Sequence, residues 1–461
     1  MPTPRRELAR LTRLAWPIVG AQVGNMALGM VDTLFLGRVG VDALAAASIG
    51  NAYLYGTLLV GQGLVLGMDP LVTQAHGAGD GRAAGLALQR GLVVSALVTA
   101  VVSLLFLLTR PVLVLLGQDP SLAEGAGRYI GVQIPTIGAF YGYLALRSYL
   151  QGREIVRPAL VAMLLANGTN VVFNWALVFG HLGAPALGLV GSGLATGLSR
   201  VVLFATLIVL VRRGGLLERT FPPWSRGAFD GRALRRILAL GFPIGMQMGL
   251  EVWAFSVATL LAGHLGATAV AAHTITLNMA AFSFMMPLGV GQAACTRVGN
   301  LIGARRFREA DEAAWVAIGL GASIMAAWAL VFVTGRGVLP RLYTPAEDVV
   351  ALAAATLPIA AAFQIFDGTQ VVAAGVLRGM GSTRPAAWLN FVGYWLIALP
   401  LAFALVTFAG AGLAGIWWSL CLALLLVAVG LVAWIRVRGP GRLGVPAEPT
   451  PQAVAPRSPV G

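Results

Sequence analysis

Apolar stretches of about 20 residues recur along the whole chain, separated by short segments rich in polar residues, glycine and proline. An α-helix needs about 20 apolar residues to cross the hydrocarbon core of a bilayer. The strands of a membrane β-barrel would be about 10 residues long and would alternate in polarity, which this sequence does not do. The pattern therefore predicts an all-α membrane protein with twelve transmembrane helices, at roughly 12–36, 48–75, 86–109, 127–149, 158–180, 187–211, 238–263, 269–297, 313–335, 348–377, 386–409 and 412–436.

The twelve predicted spans form two similar halves. Pro17 can be placed over Pro243, and without a gap the run Ala43–Ile49 then falls opposite Ala269–Ile275. Each half contains six spans, so both halves enter the membrane in the same orientation. A parallel repeat of this kind places the binding site between its two units. We therefore predict two pseudo-symmetric six-helix bundles around a central cleft.

The distribution of arginine predicts the topology. All 32 basic residues are Arg, and a cytoplasmic N-terminus leaves only five of them in outside segments. Cytoplasmic loops of membrane proteins carry an excess of positive charge, so we expect both termini in the cytoplasm. The expected domains are an N-terminal bundle at 1–211, a cytoplasmic linker at 212–236, a C-terminal bundle at 237–437 and a disordered cytoplasmic tail at 438–461.

Composition agrees with a membrane protein and gives no sign of an enzyme. Only 11% of the residues are charged, against about 25% in soluble domains. The net charge of +14 is explained by basic loops rather than by nucleic-acid binding. Cys295 and Cys421 lie in apolar spans and lack disulfide or zinc spacing. No phosphate-binding loop, metal motif or catalytic triad is present, so ATP is not expected to drive the protein.

An ionisable side chain inside a span costs at least about 2.5–3.5 kcal/mol, so each one is a functional candidate. The predicted spans contain five, at Asp32, Asp69, Arg200, Glu251 and Asp367. Asp32 ends a polar stripe that includes Gln22 and Asn25 at helical spacing on the first span. Such a stripe can hold helices together by hydrogen bonds. We interpret it as functional because helix association rarely needs a carboxylate.

Two acids lie in the second half. Glu251 is near the middle of the seventh span, one turn after Gln247, and Asp367 shares a face of the tenth span with Gln364. Burial disfavours the charged form of a carboxyl group, so Glu251 could exchange a proton for a cationic substrate. A neutral, hydrogen-bonded carboxylic acid is the alternative. We expect Glu251 and Asp367 to couple transport to a cation, with Asp32 as a second coupling candidate.

Amide and hydroxyl side chains at helical spacing mark the fifth and sixth spans. Asn170 and Asn174 lie on the fifth span, and Thr196 lies on the sixth. Beside Asp32 they would offer oxygen ligands to a hard cation such as Na⁺, although hydrogen bonding between helices is an equal alternative. Asn278 on the eighth span is a further candidate for binding cation or substrate.

Asp69 and Arg200 have no partner that the sequence identifies. One hypothesis is a direct ion pair between Asp69, towards the cytoplasmic end of the second span, and Arg200, one turn beyond Thr196. The alternative is that each reaches a different group or the membrane surface. Aromatic and methionine side chains, including Trp253 and Phe282, could line a cavity for flat organic cations or could simply be packing residues.

Several segments resemble a known family. Gln74–Gly79 (QAHGAG), Arg297–Asn300 (RVGN) and Phe363–Asp367 (FQIFD) are similar to segments of the multidrug and toxic compound extrusion (MATE) family, in its bacterial NorM-type branch. The resemblance covers about residues 8–436.

The resemblance implies a V-shaped cleft between two bundles that opens to alternate sides of the membrane. It implies export of organic cations and drugs against inward flow of H⁺ or Na⁺. Glu251 and Asp367 match the family's coupling acids in the second bundle, and Asp32 matches the acid in the first. Asn174 and Thr196 match residues that line a cation site. Na⁺ would bind at Asp32, Asn174 and Thr196, or at Glu251 and Asp367.

The sequence thus predicts a monomeric, secondary active multidrug efflux antiporter of the bacterial inner membrane. It would need no cofactor besides the coupling ion H⁺ or Na⁺ and would bind no nucleic acid. One alternative is a flippase or exporter of a lipid-linked precursor or metabolite, which would favour a basic cleft. A passive channel is less favoured, because channels usually arrange charges as rings in an oligomer.

Overall fold

A computed structural model describes residues 4–217 and 220–443, and all regular secondary structure in those two ranges is helical. Most of the predicted tail and part of the predicted linker lie outside the described residues. The described part of the first half contains nine α-helices: α1 (Pro4–Gly37), α2 (Val41–Leu66), α3 (Asp69–Gly77), α4 (Gly81–Leu107), α5 (Thr109–Leu115), α6 (Pro120–Gly131), α7 (Ile137–Gly152), α8 (Arg157–Phe179) and α9 (Gly188–Arg213).

Among its described residues, the second half contains seven α-helices and one π-helical segment at Phe391–Ala398, which joins α14 to α15. The helices are α10 (Gly231–Gly263), α11 (Ala267–Gly303), α12 (Phe307–Gly335), α13 (Glu347–Met380), α14 (Arg384–Asn390), α15 (Leu399–Thr407) and α16 (Gly412–Arg438).

These helices make twelve spans in two lobes of six. Eleven segments of the described chain are long and apolar enough to cross a membrane. The remaining span, predicted at 127–149 as one helix, is instead divided between α6 and α7 by a turn at Ile134–Thr136. Pro135 explains the break, because proline lacks a backbone N–H and disfavours helix in the residue before it. The predicted second span is likewise divided, between α2 and α3.

The two lobes pack against each other through backbone contacts that follow the sequence repeat. A Cβ atom added at Gly77 would collide with the carbonyl of Asn300, and one added at Gly303 would collide with the carbonyl of Gln74. The alignment of Pro17 with Pro243 makes these two contacts equivalent. The repeat is therefore visible both in the lobes and in the interface between them.

Helix α1 belongs to both lobes. Its first half contributes Leu11, Leu14 and Ile18 to a hydrophobic cluster otherwise formed by α11, α12, α13, α14 and α16. Its second half carries Asp32 into the first lobe, where α1 packs on α8. Helices α1 and α10 begin, and α3 and α11 end, at one end of the molecule, which we call the arginine-rich end because most predicted inside arginines lie there. The lobes are in close contact at this end.

Candidate functional site

The first polar cluster surrounds Asp32 in the first lobe. Oδ1 of its carboxylate accepts hydrogen bonds from Nδ2 of Asn170 at 3.2 Å and of Asn174 at 2.8 Å. Oδ2 accepts a hydrogen bond from the hydroxyl of Thr196. Asp32 is 5% exposed and both asparagines are fully buried. Three helices, α1, α8 and α9, thus converge on one buried carboxylate, as the spacing of these residues suggested.

Helical spacing explains how α8 supplies two of these donors. Asn170 and Asn174 are one turn apart and therefore lie on one face. The same face brings Asn167 to α1, where its Nδ2 donates to the backbone carbonyl of Gly24 at 3.0 Å. A Cβ at position 24 would collide with Met163, so glycine permits this close packing of α1 on α8.

The rest of the predicted stripe on α1 does not join this cluster. Gln22 is buried, but its Oε1 accepts a hydrogen bond from Arg147 at 3.0 Å. Asn25 is exposed. Gln22 and Asn25 thus lie on the same helix as Asp32 but outside its hydrogen-bonded cluster. Side chains three and four residues apart share a face, but the packing of neighbouring helices decides which group each one meets.

Arg200 lies beside the Asp32 cluster, one turn beyond Thr196 on α9. Its guanidinium lies over the ring of Phe140, with Cζ 5.6 Å from the ring centroid. Nη1 is buried and has no hydrogen-bond partner within the described part of the chain. Asp32 is the acidic group that interacts electrostatically with Arg200, together with the hydroxyls of Tyr55 and Tyr129.

The hypothesis of a direct pair between Asp69 and Arg200 is wrong. Asp69 begins α3 at the arginine-rich end, and its Oδ2 lies 3.9 Å from Nη1 of Arg378 in the second lobe. Both side chains are nearly buried, 7% exposed for Asp69 and 13% for Arg378. Asp69 thus forms part of the interface between the lobes.

The second polar cluster lies in the second lobe. Glu251 on α10 and Asp367 on α13 are close enough to interact electrostatically, and Gln370 is the side chain that contacts the Glu251 carboxyl. Nε2 of Gln370 also donates to Oδ1 of Asn390 at 3.0 Å. Tyr394 is buried beside both acids, and its hydroxyl has no partner among the described residues.

Irregular backbone helps to form this cluster. Tyr394 lies in the π-helical segment at Phe391–Ala398, and π turns occur frequently at functional sites. The next residue, Trp395, donates from Nε1 to the carbonyl of Leu250 at 3.1 Å, immediately before Glu251. Pro400 follows in the first turn of α15 and lacks an N–H, which prevents a regular helical hydrogen bond there.

The other second-lobe residues that were predicted to bind cation or substrate lie apart from one another. Gln364 is fully buried and donates to the hydroxyl of Ser283 on α11, away from the two acids. Gln247 is partly exposed and Asn278 is exposed. Trp253 is 41% exposed and lies against Gly56 of α2, at the boundary between the lobes.

Sequence reasoning missed the polar contacts between the lobes. Arg147 donates to Oε1 of Gln292 at 2.6 Å as well as to Gln22, and so joins α7 to α11 and α1. Arg297 donates two hydrogen bonds to Glu7. In the sequence these arginines indicate only the topology. The sequence did mark Arg297 as a residue of interest, because it lies in Arg297–Asn300, one of the segments that resemble the family.

Two lobes of six spans each, related by a repeat and each holding a buried carboxylate cluster, define a multi-pass membrane transporter. The MatE family model matches residues 17–176 and 243–404, one copy in each lobe. The chain belongs to the MatE (MATE) family of transporters. Membership confirms the resemblance stated from the sequence, and with it the prediction of a transporter rather than an enzyme.

Named relatives and solved structures support this assignment. The probable multidrug resistance protein NorM of Mesorhizobium japonicum is 36% identical over 94% of both chains. The multidrug resistance protein NorM of Burkholderia vietnamiensis is 35% identical, again over 94% of both chains. The eukaryotic MATE transporter AtDTX14 superposes with a TM-score of 0.88 at 24% identity, covering 95% of this chain and 97% of the other.

A second solved structure has the same fold. It is described as the outward-facing conformation of a multidrug resistance MATE family transporter of the MOP superfamily, and it superposes with a TM-score of 0.86 at 19% identity. The comparison covers 96% of this chain and 98% of the other. Together with the eleven candidate spans and the divided twelfth, these superpositions confirm the predicted twelve-helix, two-lobe fold.

Proposed function

We propose that this protein is a secondary active antiporter of the bacterial inner membrane that exports organic cations and drugs in exchange for H⁺ or Na⁺. The observation that carries the proposal is the pair Glu251 and Asp367, two acids close together in a membrane-spanning lobe. Within the described chain no basic side chain lies within 4.0 Å of either carboxyl. Such a pair needs a mobile cation to balance its charge.

Cation binding at this pair can be coupled to drug release. Two adjacent carboxylates repel one another, so a proton or Na⁺ from outside binds to the pair readily. The bound cation removes the negative charge that would attract a cationic drug. The drug is then released to the outside, and return of the cation to the inside restores the charge. The NorM names of the relatives support drugs as substrates, and a monomer is the simplest assembly that contains the whole site.

The state of the cleft is also consistent with an antiporter. The close contacts between lobes lie towards the arginine-rich end, at Gly77 and Gly303, and the positive-inside rule assigns that end to the cytoplasm. The cleft of this conformation would then open to the outside. One of the structural neighbours is described as outward-facing.

Transport by purified protein in liposomes tests the proposal. A fluorescent organic cation is loaded, and a pH gradient and a Na⁺ gradient are imposed separately. We expect the cation to move against its own gradient under at least one of the two, and protein-free liposomes to show none of this movement. Lack of transport under both gradients by folded, reconstituted protein would contradict the proposal, and movement of fluorescent lipid instead would favour the flippase alternative.

A further inference from the structure

We propose that a cavity at the arginine-rich end of the second lobe binds the phosphate headgroup of an anionic phospholipid. The cavity has a volume of about 580 Å³ and lies between α12, the end of α16 and the turn that follows α16. It is separate from both polar clusters described above. The proposal goes beyond the proposed antiport function and does not depend on it.

The turn at Pro440–Arg442 forms one wall of the cavity. The backbone N–H of Gly441 donates to Oδ1 of Asp311 on α12 at 3.4 Å. A Cβ added at position 441 would lie 3.1 Å from Cγ of Asp311, so glycine permits this close approach. The contact brings Arg442 to the cavity, where Arg436 of α16 is a second basic lining residue.

The lining of the cavity carries more positive than negative charge. Neither Arg436 nor Arg442 has a carboxylate within 4.0 Å among the described residues. Asp311 is the acidic lining residue, and its carboxylate already accepts the N–H of Gly441. A guanidinium can donate two parallel hydrogen bonds to a phosphate group. The cavity is therefore suited to a phosphodiester anion.

An apolar stripe on α16 leads away from the cavity and favours a lipid over a soluble anion. Exposed Leu422, Leu426 and Val429 lie on the same face of the helix as Arg436, at helical spacing. From Leu422 to Arg436 the helix rises about 21 Å, at 1.5 Å per residue. The hydrocarbon of one leaflet is about 15 Å deep. An acyl chain can therefore lie along this stripe while its phosphate binds the two arginines.

Tryptophan side chains indicate that the cavity lies at the level of the lipid headgroups. Trp315, one turn after Asp311 on α12, lines the cavity and is 37% exposed. Tryptophan is enriched where a membrane meets water. Three other exposed tryptophans at the arginine-rich end lie within four residues of an arginine: Trp16 near Arg13, Trp224 near Arg226 and Trp388 near Arg384. Basic cavities between spans on the cytoplasmic side bind lipid headgroups, and the positive-inside rule assigns this end to that side.

Lipid binding to the purified, full-length protein in detergent tests the proposal. Native mass spectrometry gives the affinity for phosphatidylglycerol, which is anionic, and for phosphatidylcholine, which is zwitterionic. We expect the wild type to bind phosphatidylglycerol about tenfold or more tightly than phosphatidylcholine. The double variant Arg436→Gln, Arg442→Gln should lose most of this preference.

Arg213→Gln combined with Arg232→Gln is the matched control. Both residues are exposed at the arginine-rich end and lie outside the cavity lining, so this variant loses the same charge elsewhere. It should keep the preference for phosphatidylglycerol. An equal loss of preference in the control would overturn the proposal, because it would show a general attraction of the surface for anionic lipid.

The wild type alone also decides the matter, whether or not the variants fold. Equal affinity for the two lipids would overturn the proposal. Displacement of phosphatidylglycerol by inorganic phosphate at equal concentration would do so too, because the cavity would then be a site for the free anion. Phosphatidylglycerol should also raise the unfolding temperature of the wild type more than that of the cavity variant.

The chain itself is the other occupant to exclude. Residues 444–461 follow the turn and contain one acid, Glu448. We expect Glu448→Gln to leave the affinity for phosphatidylglycerol unchanged. A clear gain in affinity would contradict the proposal, because it would show that this acid competes with the lipid for the two arginines.

Discussion

The guanidinium of Arg297 donates hydrogen bonds to both carboxylate oxygens of Glu7, from Nε at 2.6 Å and from Nη2 at 3.0 Å. Glu7 lies at the start of α1 and Arg297 lies near the end of α11, in the second lobe. Glu154, two residues after the end of α7, adds a carboxylate 3.9 Å from the same guanidinium. A bidentate pair of this kind is among the stronger polar contacts in proteins. It holds the lobes together at the arginine-rich end.

Glu7→Gln should weaken this contact and favour opening of the arginine-rich end. A hydrogen bond to a charged group is worth about 1.5–3 kcal/mol, and the side chains regain water when the lobes separate. Spin labels at Arg82 and Arg308, which are exposed equivalents in the two halves, would report the distance between the lobes. We expect a larger population at long distance in the variant than in the wild type.

The labels require Cys295 and Cys421 to be replaced first, since both are free cysteines. Glu124→Gln is the matched control, because Glu124 pairs with Arg128 at an exposed position, where such pairs contribute little. An unchanged distance distribution in Glu7→Gln would show that this ion pair does not hold the lobes together.

Gly63→Ala should also destabilise the closed contact between the lobes, in this case through a steric collision. A Cβ at position 63 would collide with the backbone of Gly245 in the other lobe, and backbone atoms cannot move aside cheaply. Overpacking of this kind costs about 1–3 kcal/mol. The same spin labels should report opening, and the protein should unfold at a lower temperature in detergent.

Gly263→Ala provides the control for that substitution. Nothing lies within 4 Å of a Cβ built at Gly263, at the end of the same helix as Gly245. Alanine there should be neutral or slightly stabilising, because it restricts the unfolded chain. If both alanine variants behaved alike, the close approach of α2 to α10 would not limit the closed state.

The membrane explains why so much of the fold could be predicted from the sequence. Spanning segments must be helical and about 20 residues long, so apolar runs give the helices directly. The alignment of Pro17 with Pro243 then predicted two equivalent lobes. The reciprocal contacts of Gly77 and Gly303 follow from that symmetry. Asp32 and Asn174 are in contact because the polar faces of their two helices avoid lipid and face the interior of the lobe.

The partners of other polar residues could not be predicted in this way. Gln22 and Gln364 lie on the expected faces, yet packing directs them to Arg147 and Ser283. Contacts between the lobes depend on how two rigid bundles meet, which no spacing within one helix encodes. The π-helical segment that carries Tyr394 is likewise set by tertiary packing.

Charge reversal tests the partner of Asp69. Asp69→Arg places a third guanidinium beside Arg378 and Arg147, which both influence the Asp69 carboxyl, and should abolish transport through like-charge repulsion. Asp69→Arg combined with Arg378→Asp should restore part of the transport measured in liposomes. Asp69→Arg combined with Arg200→Asp should restore none. Rescue by the Arg200 change instead would contradict the pairing seen in the structure.

Neutral substitution of the acidic pair tests the proposed coupling. Glu251→Gln and Asp367→Asn keep the shape of each side chain but remove the charge that an exchangeable cation must balance. We expect each variant to reach the membrane in normal amount and to transport no more organic cation than protein-free liposomes. Glu347→Gln is the matched control, because Glu347 is an exposed residue of the same lobe whose pair with Arg341 is also exposed; it should transport at the wild-type rate. Full transport by Glu251→Gln would remove this residue from the coupling mechanism, whereas a loss confined to the Glu251 and Asp367 variants would place coupling in the second lobe.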